Sequence, residues 1–222
     1  MSQVEPAVET QEASTFSLID CDVHNYPNSI EELMPYLSAR WQAYVRQSGF
    51  SGPGGPTYPK GFAQAARRDA WPPSGLKPGG DPDFAREQLL DEWGIDLAIL
   101  NPLYGMTALH NLDFANALMR AVNEWTADTW LGSDTRWRGS IVVNANDPKN
   151  AAAEIKRVSA DRRFVQVLLL VGRARPMASG SFARSSPPLA RRGCRWASTS
   201  AAVAIRSPPA VGPLIILKII PR

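Results

Sequence analysis

Asp22 and His24 stand two positions apart in the stretch Ile19-Asp20-Cys21-Asp22-Val23-His24-Asn25-Tyr26-Pro27. The preceding run, Phe16 to Val23, is apolar and gives way to polar residues, as a buried strand does where it emerges at a sheet edge. Side chains alternate along a strand, so Asp22 and His24 project to one side and Cys21 to the other, into packing. A carboxylate and an imidazole converging from a strand end supply half of a site for a hard-to-borderline divalent cation. The same two residues also suit a plainer arrangement, in which Asp22 caps the following loop and His24 hydrogen-bonds to it.

The surrounding sequence must hold these side chains in place. Ile30 to Gln47 carries Leu33, Leu37 and Trp41 at spacings of four and is closed by Gly49, which predicts a helix. Residues 48–82 are rich in Gly and Pro, and a long irregular loop of this kind is expected to be a lid or binding loop, or to be disordered. A helix is expected over Asp83–Trp93, a short strand over Ile95–Leu100 and a long helix over Asp113–Leu131. A strand over Gly139–Asn144, a helix over Pro148–Ser159 capped by Asp147, and a strand over Phe164–Val171 complete the order. Strand and helix alternate, and the strands are continuous apolar runs, so the expected fold class is α/β with a parallel sheet covered by helices. Four strand–helix units within residues 16–171 make either a small open sheet or the front half of a barrel, since eight such units need about 250 residues.

Asp22-Val23-His24 after a first apolar strand resembles the metal motif of the amidohydrolase-related family. The resemblance continues in AREQLLDEWGIDLAILNP, LDFANALMRAVNEW, WRGSIVVNANDPKNAAAEI and RFVQVLLL, in the family's order, and covers about residues 16–171. It implies the N-terminal part of a (β/α)8 TIM-type barrel and a metal-dependent hydrolase or nonoxidative decarboxylase of a small molecule. The cofactor implied is a divalent metal, zinc or manganese, with Asp22 and His24 matching the first two ligands. The family completes its site with a His on a middle strand and an Asp near the eighth, and neither is visible here: the chain has two histidines, His24 and His110. Asn101, Tyr104 and His110 follow the second strand, on the rim where barrel active sites form, and are candidate substrate contacts. Aromatic residues in the loops (Tyr26, Tyr58, Trp71, Tyr104) point to a cyclic or aromatic substrate.

Composition separates the chain into unlike parts. The 222 residues carry a net charge of +3. All 21 acidic residues lie before residue 172, whereas residues 172–222 hold nine basic residues and no acid. Ala, Arg, Ser and Pro dominate this tail, as expected of a GC-rich gene read out of frame. If the tail codons are read one base late, the original codons join the last base of each to the first two of the next. Around Gly193–Thr199 these permit Gly-Leu-Pro-Val-Gly-Ile-His, which resembles the family's middle strand and ends in the missing His. On this reading the chain is a truncated and inactive form of the enzyme. Residues 1–15 are expected to be a disordered leader and residues 172–222 an irregular, basic, low-complexity tail.

Other classes are disfavoured. No apolar run approaches the roughly 18 residues of a membrane span, and Met1–Ser17 lacks the basic-then-apolar order of a secretory signal. Two cysteines, Cys21 and Cys194, make no disulfide framework, and a reducing cytoplasm is the expected location. Arg191, Arg192 and Arg195 lack the periodicity and aromatic interleaving of a nucleic-acid or membrane surface; a small-molecule substrate is the expected partner, and the resemblance leaves oligomerisation open. The alternative to an enzyme is a small α/β binding protein with a basic disordered arm. The run Leu214–Ile220 is short, apolar and β-prone.

Overall fold

The computed structural model describes residues 18–53, 66–104, 109–170 and 214–218. Five strands form one sheet in sequence order: β1 (Ile19–Val23), β2 (Leu97–Leu100), β3 (Trp137–Val143), β4 (Phe164–Leu170) and β5 (Leu214–Lys218). The first four run parallel and the fifth is antiparallel to β4, with Leu168 opposite Ile216. In β3 every residue except Arg138 is buried, the burial on both faces that continuous apolar strands of a parallel sheet require. Within the tail expected to be irregular, Leu214–Lys218 is thus a strand, in keeping with its run of β-branched and leucine residues. The rest of residues 171–222, and residues 1–17, lie outside the described residues.

The expected helix from Ile30 to Gln47 is two elements. A 3-10 helix spans Ile30–Tyr36, and helix α1 spans Ala39–Ser48. Pro35 lacks the N–H that an α-helix would use there, and Leu37 turns extended, with φ −93° and ψ 143°. Gln42 bridges the break by donating to the carbonyls of Met34 and Leu37 at 3.0 and 2.9 Å. Gly49 ends α1 with φ +65°, the left-handed cap its position predicts.

Helix α2 (Pro82–Ala85) continues into a π-helical turn over Arg86–Asp91. Helix α3 (Leu112–Trp125) likewise runs into a π-helical turn over Thr126–Trp130, and helix α4 spans Pro148–Val158. Side chains set the starts: Asp81, Asn111 and Asp147 each accept from the backbone N–H three residues on.

Helix α3 buries Phe114, Leu118, Met119 and Val122 between the sheet and the 3-10 helix. Phe114 sits among Trp41, Tyr44 and Phe50, with ring centroids 4.9–5.1 Å away. Trp125, Trp130 and Trp137 form an edge-to-face chain at 6.4 and 5.6 Å. Among the described residues no helix is long and apolar enough to cross a membrane.

Candidate metal centre

Asp22 and His24 emerge on one side of β1 at its C-terminal end, as the two-residue strand period demands. His24 Nε2 lies 3.8 Å from Asp22 Oδ1, and both side chains are about half exposed. That separation is too long for a hydrogen bond and is within the span that two donors each about 2.0–2.2 Å from one ion bridge. The other imidazole nitrogen, Nδ1, is 3.1 Å from the Asn101 backbone carbonyl. A carbonyl only accepts, so Nδ1 carries the proton and Nε2 keeps its lone pair for a cation. The pair therefore fits a divalent cation in donor type, spacing and tautomer. Among the described residues no group of three or more His, Cys, Asp and Glu converges, so the pair offers two donors and no third.

Both side chains face a cavity of about 470 Å³. Its walls include Tyr26, Pro72, Pro78, Phe84 and Leu89, with Lys77 the lysine or arginine among the described lining residues. Ala66 to Asp81, the end of the Gly/Pro-rich loop, supplies much of this lining; residues 54–65, with Tyr58, lie outside the described residues. The loop is fastened to the backbone of His24 and Tyr26 through Gly79. Tyr26 N–H donates to the Gly79 carbonyl at 2.7 Å. Gly79 has φ +74°, and a Cβ there would collide with the His24 carbonyl oxygen, so the close approach requires glycine. Burial raises the pKa of the Tyr26 phenol and, more strongly, that of Tyr104.

Behind the pair runs a polar ladder across the sheet. Asn101 Nδ2 donates to Asp22 Oδ1 at 2.9 Å and to the Cys21 carbonyl at 3.0 Å. Asn101 Oδ1 accepts from Ser140 Oγ at 2.5 Å and from Gln166 Nε2 at 3.0 Å, and Gln166 also donates to Ser140 at 2.9 Å. Asn101, Ser140 and Gln166 are all buried. Parallel registers that pair Leu100 with Gly139 and Ser140 with Gln166 make the three lateral neighbours on one face.

Asn101, expected on the substrate rim, is instead fully buried with its amide engaged by protein groups. Tyr104 is also buried, packed edge-on against Tyr26 at 5.2 Å, and away from the lining of the cavity described here. His110 is exposed in the turn before α3 and does not line that cavity. Trp71 is 45% exposed. Cys21 corrects the packing expectation: it is exposed, on a strand that stands at the edge of the sheet among the described residues. Ser140 and Gln166 went unnoticed in the sequence. Their one signal is a polar residue beside or inside an apolar run, Ser140 before Ile141–Val143 in β3 and Gln166 within FVQVLLL in β4.

A crystal structure of a mutant 5-carboxyvanillate decarboxylase from Novosphingobium aromaticivorans, with manganese and 3-methoxy-4-hydroxy-5-nitrobenzoic acid bound, is similar at TM-score 0.56 and 23% identity. That match covers 83% of this chain and 51% of that one. A second structure of this decarboxylase, with manganese and 4-hydroxy-3-methoxy-5-nitrobenzoic acid, matches at TM-score 0.56 and 23% identity over 82% and 49%. The chain thus spans about half the length of these solved structures, and the likeness is one of fold. No curated protein matches it. The amidohydrolase family model matches residues 19–194, from the start of β1 through the whole parallel sheet and beyond it, and the chain belongs to that family.

Proposed function

We propose that Asp22 and His24 hold a divalent cation, manganese or zinc, and that the chain carries the opening half of an active site for hydrolysis or nonoxidative decarboxylation of a small, cyclic or aromatic acid. The observation that carries this reading is the convergence of Asp22 Oδ1 and His24 Nε2 at 3.8 Å on the cavity wall, in a chain of this family. A bound divalent ion supplies Lewis-acid polarisation of a coordinated oxygen. Asp22 and His24 bind it, Lys77 attracts a substrate carboxylate, and Tyr26, Phe84 and Leu89 offer apolar walls to a ring. A two-ligand site holds its ion weakly, so little turnover is expected from the site formed by the described residues.

Titrating the full chain with Mn²⁺ by electron paramagnetic resonance tests the reading. Saturable binding that Asp22→Ala and His24→Ala each weaken at least about tenfold supports it. No binding, or binding indifferent to both substitutions, overturns it. Zinc is ranked against manganese by competition, and substrate class by metal-dependent release of carbon dioxide from a panel of aromatic acids. The linked reading, that the tail is out of frame, is tested by resequencing the gene across the codons for Val171–Ser186.

A further inference from the structure

We infer that Asn101 is a positioning residue for the metal pair, holding both Asp22 and the His24 tautomer, and that Ser140 and Gln166 in turn fix Asn101. The inference rests on the reading of Asp22 and His24 as cation ligands. Asn101 touches each of them through a different group: its amide donates to Asp22 Oδ1 at 2.9 Å, and its backbone carbonyl accepts from His24 Nδ1 at 3.1 Å.

Neither group has freedom to turn away. The amide uses both donor hydrogens, on Asp22 and the Cys21 carbonyl, and its oxygen accepts twice, from Ser140 and Gln166. Flipping it would set Nδ2 against the Gln166 donor, and Oδ1 against a carboxylate and a carbonyl. The backbone is held from the other side, since Asn101 N–H donates to the Val23 carbonyl at 2.7 Å. Pro102 follows, which disfavours the helical region for Asn101. A fully satisfied, buried polar network of this kind is rigid. Two ligands on a strand end are thereby braced by side chains from β3 and β4, 26 residues apart in sequence.

The test uses the full chain with isotope-labelled histidine, and only two histidines contribute signals. His110→Gln assigns the spectrum by leaving His24 alone. Metal-free wild type is expected to show His24 protonated at Nδ1. Asn101→Ala keeps the backbone carbonyl that accepts from His24 Nδ1, so it is expected to leave the tautomer unchanged while freeing Asp22 and weakening Mn²⁺ binding about 10- to 100-fold. Ser140→Ala, which removes one donor to Asn101 Oδ1, is expected to weaken Mn²⁺ binding by a smaller factor, with the tautomer likewise unchanged. A folded Asn101→Ala chain with wild-type Mn²⁺ affinity overturns the inference. Should Asn101→Ala fail to fold, Asn101→Asp and Ser140→Ala decide: unchanged binding in both overturns it, and weakened binding in either upholds it. Wild type with His24 protonated at Nδ1 that binds no Mn²⁺ overturns the metal reading while upholding the contact to the Asn101 carbonyl.

Discussion

His24 and Asn101 are 77 residues apart in sequence, and the imidazole of one closes onto the backbone carbonyl of the other at 3.1 Å. The contact exists because β1 and β2 are parallel neighbours whose C-terminal ends finish level, with Val23 opposite Leu100. In this arrangement β1, which presents Asp22 and His24, does not orient them alone. The adjacent strand end supplies the acceptor that selects the tautomer, and the two strands beyond it brace that acceptor.

The Gly79 contact predicts an unequal pair of glycine substitutions. Gly94 has φ +62° with open space around it, so Gly94→Ala is expected to cost about 1–2 kcal/mol for the left-handed backbone alone. Gly79→Ala carries that same cost and also displaces the loop from the His24 carbonyl, for about 2–4 kcal/mol in all. Urea unfolding of both variants checks this. Equal losses would mean that the loop does not bear on His24.

Exposure of Cys21 predicts reactivity. In a Cys194→Ser chain, which leaves Cys21 as the single thiol, iodoacetamide is expected to alkylate Cys21 about as fast in native buffer as in denaturant. Strong protection in the native state would place Cys21 in packing after all, as strand alternation by itself suggests.

Strand alternation made the juxtaposition of Asp22 and His24 legible, because the period that puts them on one side is local. The order of strands and helices was legible for a similar reason: continuous apolar runs such as Leu97–Leu100 and Phe164–Leu170 answer to burial on both faces. What escaped depends on register. Asn101 looks like a loop residue before a proline, and only the pairing of β2 with β3 and β3 with β4 reveals Ser140 and Gln166 as its partners. Tyr104 carries no local sign that Tyr26 packs against it, since that contact joins two separate strand ends. The break at Pro35 was visible, and the four-residue spacing of Leu33, Leu37 and Trp41 hid it.

Asn123 is a second buried amide with a structural task. It is 1% exposed, on the buried face of α3, where its Nδ2 donates to the Val142 carbonyl at 3.0 Å and its Oδ1 accepts from Val142 N–H at 2.8 Å. Nδ2 also meets Glu154 of α4 at 2.9 Å, so one side chain ties helix, strand and helix together. Asn123→Ala is expected to cost about 2–4 kcal/mol, because it leaves strand backbone groups unpaired in the core. Asn123→Leu, of similar size, is expected to recover little of that in urea unfolding. Full recovery by Leu would show that packing, and not the paired hydrogen bonds, is what this position requires.

Acid should destabilise the fold through a turn that occurs twice. Asp134-Thr135-Arg136 leads into β3 and Asp161-Arg162-Arg163 leads into β4. In each, the carboxylate accepts from the backbone N–H two residues on and from the guanidinium of that same arginine, with Nη2 at 2.7 Å. Hydrogen bonds from Arg136 hold the Asp134 carboxyl below its ordinary pKa, and those from Arg163 do the same for Asp161. A carboxyl whose pKa is lower folded than unfolded stabilises the fold above its unfolded value, and that stability is lost as pH falls through the folded one. Urea midpoints are therefore expected to be insensitive to these two groups above about pH 5 and to drop below about pH 4. Arg136→Met and Arg163→Met remove the cause of the depression, so each should lower the midpoint at neutral pH and flatten its decline in acid. Both carboxylates are partly exposed, and added salt should shrink the difference between wild type and variant. A decline in acid equally steep in the double variant would assign acid sensitivity to other carboxylates, Asp147 first among them: burial alone would raise its pKa, but hydrogen bonds from Asn150 and Asn116 hold it low.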